Sequence, residues 1–361
     1  MHVNYYSVVL NISKQGNIFS NYALIDKQLD RDKKMNIRVF VLFAVSILCF
    51  SCSGRKMYGE AHPELEILRF DKDLYQYLVN NEPDSVLEKY KDLLDVFGEG
   101  VIHIGKSDSA GFYGRLRKYF SEPALMNLYK SEQDSLSDIS GINNELSQGL
   151  TIFFGQFPQV RPVKIYLHVS GLKQSVIVSD DILSLSADKY LGADYPLYQS
   201  FFYDYQRQLM SPDRIVPDYI LGFLMANFPF QGNEDLLLDR ILYEGKLRYV
   251  ISRLLPERQV WEYVGYNREQ YSWCSKNQSQ IWKTILENQH LFATNYLTTT
   301  QYLKEAPNTA YLPSESPGRV GVWIGYQIIT SYMKHNSNTS LQQLMEMTDY
   351  RELLKQSKYK P

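Results

Sequence analysis

Apolar positions recur mainly at helical spacings along this chain. A helix is predicted over Asp71–Val79, and Pro83 opens another that carries Val86, Leu87, Leu93 and Leu94. Helical periods follow at Phe112–Phe120, Pro123–Tyr129 and Leu136–Phe154. In the last of these Ile139, Ile142, Leu146, Leu150 and Phe153 form one stripe. The period then changes. In Val163–Val169 the residues Val163, Ile165, Leu167 and Val169 alternate with Lys164, Tyr166 and His168, which predicts a half-buried strand. Leu65–Phe70, Ser175–Val178 and Ile182–Ser186 read as further strands, with a turn at Gly171. Helical stripes return at Pro196–Leu209, Pro217–Asn227, Leu236–Leu255, Arg268–Gln289 and Arg319–Lys334. Pro217 suits a first helical turn, with Asp218 beside the positive end of the dipole. A small sheet between two helical regions predicts a mostly helical α+β fold with segregated elements. No Pro/Ser-rich linker and no fixed-period repeat interrupts residues 63–361, so they read as a single domain.

The N-terminal pattern is of another kind. Residues 1–34 lack a strong apolar period and end in the charged run 30–34. After Met35, a basic start at Arg38 leads into the uncharged apolar run Val39–Phe50 and then Ser51-Cys52-Ser53-Gly54. That order is the pattern of a secretory signal, and the run is shorter than the about 20 residues a membrane span needs. Cys52 stands where a bacterial lipoprotein is cleaved and its cysteine lipidated. Ser51 is the usual small residue before it, while Phe50 and Cys49 depart from the pattern. A Cys49-x-x-Cys52 redox pair is the alternative reading, at a place that is no strand-to-helix junction. The expected organisation is a non-native or disordered extension over 1–34, a signal over 35–51, a tether over 52–62 and a domain over 63–361.

Composition narrows the chemistry. Lys+Arg number 38 against 40 Asp+Glu, a net charge of −2, without the clustered positive excess of a nucleic-acid binder. Three cysteines exclude a disulfide scaffold. Cys274, beside Trp273 on an amphipathic helix, reads as a buried inert thiol. His62, His103, His168, His290 and His335 each stand alone, and no HExxH occurs, so no metal site is predicted. His168 falls on the polar face of its strand, where a solvated or hydrogen-bonded imidazole is expected. GxSxG, GxxxxGK[ST] and GxGxxG are all missing, which leaves no nucleophile motif and no cofactor.

Three segments remain as candidates. In Tyr243-Glu244-Gly245-Lys246, Glu244 lies near an apolar helical face, and Gly245 inside a helix costs about 1 kcal/mol relative to Ala. This points to a close approach or a site. Equally, Arg240, Glu244 and Arg248 at four-residue spacing can form surface ion pairs. The loop Tyr190–Pro196 offers Asp194 and Tyr195 for polar recognition, or plain capping and packing ahead of Pro196. Gly318, Gly321 and Gly325, around Arg319, have the spacing that admits a close helix, which favours packing over phosphate binding.

Cys52, Ile67-Leu68-Arg69-Phe70-Asp71, Tyr190–Pro196, Ile215-Val216-Pro217-Asp218-Tyr219-Ile220, Tyr243–Lys246 and the terminal Ser357–Pro361 together resemble the gliding motility lipoprotein GldB family. The resemblance spans residues 52–361. It implies a bacterial envelope lipoprotein of gliding motility or related machinery, held to the membrane by a lipid on Cys52. It carries over no catalytic residue. More distantly, the order sheet, helix, Glu-Gly helix and Gly-rich helix resembles zinc-dependent proteases of zincin-like fold. That likeness implies a degenerate metalloprotease architecture: Pro217–Asn227 would be the HExxH helix, yet it has no histidine, and Glu244 would match the acidic ligand. A metal-free, non-proteolytic relative is expected, whose cleft binds a partner through residues such as Tyr195, Tyr219, Tyr243 and Arg319.

The leading expectation is a non-catalytic component of an envelope assembly, periplasm-facing, with envelope proteins as partners and no nucleic acid. The alternatives are a hydrolase of envelope polymers using Glu244 and Asp194, with Asp218 beside them, or a carbohydrate-binding lipoprotein. Glu244 and Asp194 in one open cleft would favour the enzyme. Exposed coplanar tyrosines would favour sugar binding. Glu244 tied to arginine, with an apolar exposed patch elsewhere, would favour the assembly component.

Overall fold

Among the described residues, five short strands form one mixed sheet in the order β1-β4-β5-β3-β2. They are β1 (Val8–Leu10), β2 (Ile67–Leu68), β3 (Lys164–His168), β4 (Val176–Ser179) and β5 (Ile182–Ser186). The computed structural model describes residues 8–10, 65–173, 176–179 and 181–361. Cys52, the signal 35–51 and the tether 52–62 lie outside the described residues. Val8–Leu10, within the segment read as an extension, runs parallel to β4 at the sheet edge. The central pair β3 and β5 is parallel, with Ile165 opposite Leu183 and Leu167 opposite Leu185. β4 and β5 form an antiparallel pair around the turn at Asp181.

One helical region precedes β3 in the chain. It holds α1 (Phe70–Val79), α2 (Lys91–Gly100, after a 3-10 turn Asp84–Tyr90), α3 (Phe112–Phe120), α4 (Pro123–Ser135) and α5 (Ser140–Gln156). The rest follow β5. They are α6 (Pro196–Phe201), α7 (Asp204–Arg207), α8 (Ile215–Asn227), α9 (Leu237–Leu254), α10 (Val260–Tyr263) and α11 (Arg268–Lys276). Then come α12 (Gln278–Glu287), α13 (Tyr296–Leu303), α14 (Val320–His335), α15 (Leu341–Glu346) and α16 (Tyr350–Ser357). The predicted mostly helical α+β class is what the chain adopts.

The strand period explains how the sheet is covered. Ile165, Leu167, Val176, Val178, Leu183 and Leu185 point into the larger core with α5, α8, α9 and α14. Tyr166, Ile177 and Ile182 point the other way, into a second core with α1–α4. β3 is therefore buried on both faces, which corrects the half-buried reading. Tyr166 and His168 are amphipathic, so a second layer covers them, while Lys164 at the start of the strand stays exposed. His168 is fully buried, its Nδ1 2.7 Å from Ser184 Oγ and its ring edge-on to Phe97 at 5.5 Å.

Helices differ from the predicted ones where local hydrogen bonds compete. Arg268–Gln289 splits at Asn277, which leaves helical geometry while its side-chain amide donates to the Trp273 carbonyl at 2.8 Å. Pro196–Leu209 splits at Phe202, which is extended. The predicted strand Leu65–Phe70 shrinks to two residues because Phe70 already begins α1. The glycine reading holds: a Cβ at Gly325 would meet the Ile241 carbonyl, and one at Gly245 would lie 2.3 Å from Gly325. α9 and α14 thus cross backbone to backbone.

Candidate functional site

Asp218 sits in the first turn of α8, where the partial positive charge of the helix end favours a carboxylate. It is only 1% exposed. Arg214, one turn earlier, donates from Nη2 to Oδ1 at 3.1 Å, and the Tyr190 hydroxyl donates to Oδ2 at 2.9 Å. A second Arg214 nitrogen donates to the Glu262 carbonyl at 2.6 Å. Both carboxylate oxygens are engaged, as a buried charge requires.

More charges gather at the same place. Lys189 is buried next to Tyr190, and burial lowers its ammonium to about 8 against the opposing pull of Asp188 and Glu305. Burial raises the Glu305 carboxyl, with Arg319 and Lys189 pulling it down and Asp218 pushing it up. Arg319 precedes α14 with φ +61°, a left-handed conformation that few non-glycine residues adopt. The adjoining loop holds it there: the Thr309 hydroxyl donates to the Pro317 carbonyl at 2.9 Å and accepts from the Val320 amide at 3.3 Å. Gly265 (φ +73°) lies between the two guanidinium groups. A Cβ there would come within 3.0 Å of Arg319 Nη1 and 3.8 Å of Arg214 Nη2. Arg214, Arg319 and Glu305 line a cavity of about 400 Å³, together with Tyr205, Gln208 and Gln270. Two guanidinium groups beside a carboxyl of raised pKa suit an anionic or amide-bearing ligand.

Of the candidates read from the sequence, Arg319 lines this cavity and Asp218 supports it through Arg214. Asp194 is exposed and outside it, with only its neighbour Ala193 in the wall. Glu244 is elsewhere on α9, 3.4 Å from Arg248, which is itself 2% exposed. Arg240 turns away to Glu234 at 2.8 Å. The neighbours of Glu244 are structural. Gly245 admits α14, and Lys246 donates to the Met345 and Met347 carbonyls at 3.1 and 2.7 Å, at the end of α15. The tyrosines pack. Tyr219 is buried and donates to the Tyr166 carbonyl, Tyr243 donates to the Phe228 carbonyl at 2.9 Å, and Tyr195 donates to Ser131 Oγ at 3.2 Å. Lys189, Glu305 and Arg214 were missed by sequence reasoning. Only Arg214 left a trace, its four-residue spacing from Asp218.

A second ionic cluster sits in the N-terminal layer. Arg69 grips Asp71 through Nε at 3.0 Å and Nη2 at 2.6 Å, and the Tyr129 hydroxyl donates to the Asp71 carbonyl at 2.6 Å. Gln133 donates to Asp71 at 3.2 Å and to Glu132 at 2.7 Å. Burial and the neighbouring Asp71 charge hold the Glu132 carboxyl well above its usual range. Neither Asp71 nor Glu132 lines a described cavity.

Among the described residues no group of three or more His, Cys, Asp and Glu is placed to hold a metal ion. Cys274 is buried, and burial pushes its thiol up to about 12, so it stays protonated at neutral pH. No helix among the described residues is long and apolar enough to cross a membrane.

The model of the family described as gliding motility protein GldB matches residues 55–361. No curated protein and no solved structure matches the chain.

Proposed function

Because this chain belongs to the gliding motility protein GldB family, we propose that it serves as a non-catalytic component of an envelope assembly of the motility type. In this reading Cys52 carries the lipid that holds the protein to the membrane, with the domain facing the periplasm. The observation that carries the non-catalytic part is the state of the carboxylates. Glu244 is paired with Arg248 at a helix crossing, Asp218 is saturated by Arg214 and Tyr190, and Asp194 stands apart from both in the wall of no described cavity. A glycosidase needs two carboxyl groups facing each other across one cleft, roughly 5–9.5 Å apart. The zincin-like relationship has no support from solved structures and carries no step here. The cavity around Arg214, Glu305 and Arg319 is the proposed partner-binding cleft, suited to a carboxylate or amide of a protein segment.

Crosslinked pull-down from native envelopes tests this, using the tagged protein with Cys52 intact. Recovery of defined envelope partners, weakened in Arg319→Ala, is expected. Recovery of none would sink the assembly role. Labelled palmitate entering the protein but not Cys52→Ala is the expected sign of the anchor, and equal labelling of both would remove it.

A further inference from the structure

A basin of about 1300 Å³ opens between α2, α3, α4, the loop 171–173 and α6, on a different set of residues from the cleft above. Its volume exceeds the roughly 300–1,000 Å³ of small-molecule sites. The wall is largely apolar, built from Val101, Ile104, Leu125, Leu128, Leu172 and Leu197. Phe201, in the same lining, is 68% exposed. The basin is also cationic. Arg115, Lys118 and Lys173 line it against a single lining carboxylate, Glu122. None of the three forms an ion pair among the described residues. Arg115 is fixed by neutral acceptors, the Ile104 carbonyl at 2.8 Å, the Ala110 carbonyl at 2.6 Å and Ser109 Oγ at 2.7 Å, so its charge is positioned but not neutralised. The Lys173 ammonium lies 4.8 Å from the Tyr119 ring centroid.

This combination selects among occupants. An extended peptide needs partners for its backbone, such as an open strand edge, and no strand residue lines the basin. An acyl chain asks for no hydrogen bonds, and each methylene it buries tightens binding about fourfold. An anionic head group is complementary to the three cations. We propose that the basin takes up an acyl chain of a bilayer phospholipid with an anionic head group, which Arg115, Lys118 and Lys173 hold. Exposed Phe201 then inserts into the membrane interface, where aromatic and apolar side chains of surface-bound proteins sit. The inference rests on the envelope reading only in needing a bilayer within reach. It does not depend on acylation of Cys52.

Photo-crosslinking in cells tests it on the full chain. A benzophenone amino acid is placed at Leu197 in the basin or at exposed Lys276 on α11 as a control, and peptides are weighed after irradiation. Phospholipid-mass adducts at Leu197, about tenfold fewer at Lys276, are expected. Lys118→Glu with Lys173→Glu should cut the Leu197 adduct by about thirtyfold or more, since each cation near an anionic surface contributes roughly fivefold. Lys276→Glu should leave it unchanged, and thermal unfolding checks that the variants fold. Equal adducts at both positions, a protein adduct at Leu197, or indifference to charge reversal would each overturn the proposal. Fractionation separates the two readings. Protein found in the envelope without a lipid adduct overturns the basin alone. Protein absent from the envelope overturns the envelope role, and photo-crosslinking of the purified protein to phosphatidylglycerol vesicles then decides the basin.

Discussion

The two buried ionic clusters use the same pairing in different surroundings. Around Asp71 the grip of Arg69 is closed over by Tyr129, Gln133 and Glu132, and neither acid lines a described cavity. Around Asp218 the corresponding arginine, Arg214, also lines a cavity that Arg319 and Glu305 share. A pair away from the cavities fixes one arrangement of the chain. A pair in a cavity wall also presents its arginine to something that enters. Removing one member of a buried pair is expensive because the other charge stays behind. That penalty should fall where the stranded charge can reach water.

The largest effect is therefore expected at the Asp218 pair, whose arginine side chain is 5% exposed against 18% for Arg69. Asp218→Ala should cost about 3–5 kcal/mol in denaturant unfolding, by stranding Arg214. Asp71→Ala should cost less, roughly 2 kcal/mol, since Arg69 reaches water and keeps Glu132 beside it. Equal losses would break the comparison. Lys189 comes next. Its ammonium is lowered to about 8 in the fold from an ordinary 10.5, so between these values the unfolded chain binds more protons and stability rises with pH. Tyrosines held above 10 in the fold act in the opposite sense at higher pH, which leaves a window from about 8 to 10. Lys246, lowered to about 8 by the same cause, shares in the rise, so Lys189→Met should remove about half of it. A wild-type stability that falls across the window would contradict the burial of this lysine.

Glu132 predicts a smaller effect of opposite sign. Its folded pKa is raised, so its contribution is complete below about 4.5 and is lost as pH rises through the folded value. Glu132→Gln should flatten that loss, gaining about 1 kcal/mol on the alkaline side of it. A variant that tracks the wild type at every pH would show that Glu132 does not titrate differently on folding. The smallest change is expected for Arg319→Gly, within about 1 kcal/mol of wild type, because relief of the left-handed backbone offsets the lost guanidinium contacts. Partner recovery in the pull-down should fall far more than stability does. A large loss of stability would mean that Arg319 holds the fold rather than the cavity.

Local chemistry was readable without the fold. The stripe Leu146, Leu150 and Phe153, the first turn containing Pro217 and Asp218, and the small-residue spacing of Gly321 and Gly325 all carried their meaning in three- and four-residue periods. The site was readable only in part. Asp194 and Tyr195 looked like a ligand loop because their residue types suit recognition, but residue type does not say which way a loop faces. Lys189 and Glu305 left no signal, since neither lies in a periodic pattern and their charges meet only in the fold.

The sequence by itself determined the α+β class, most helix positions, the small-residue spacing that admits a close helix, and membership of the family, because periodicity and motif order are properties of neighbours along the chain. Tertiary structure alone decided that β3 is covered on both faces, that Glu244 is spent on Arg248, and that Arg214, Arg319 and Glu305 share one cavity. The reason is physical. Burial and pKa depend on which distant segments exclude water from a side chain, and no local pattern encodes that.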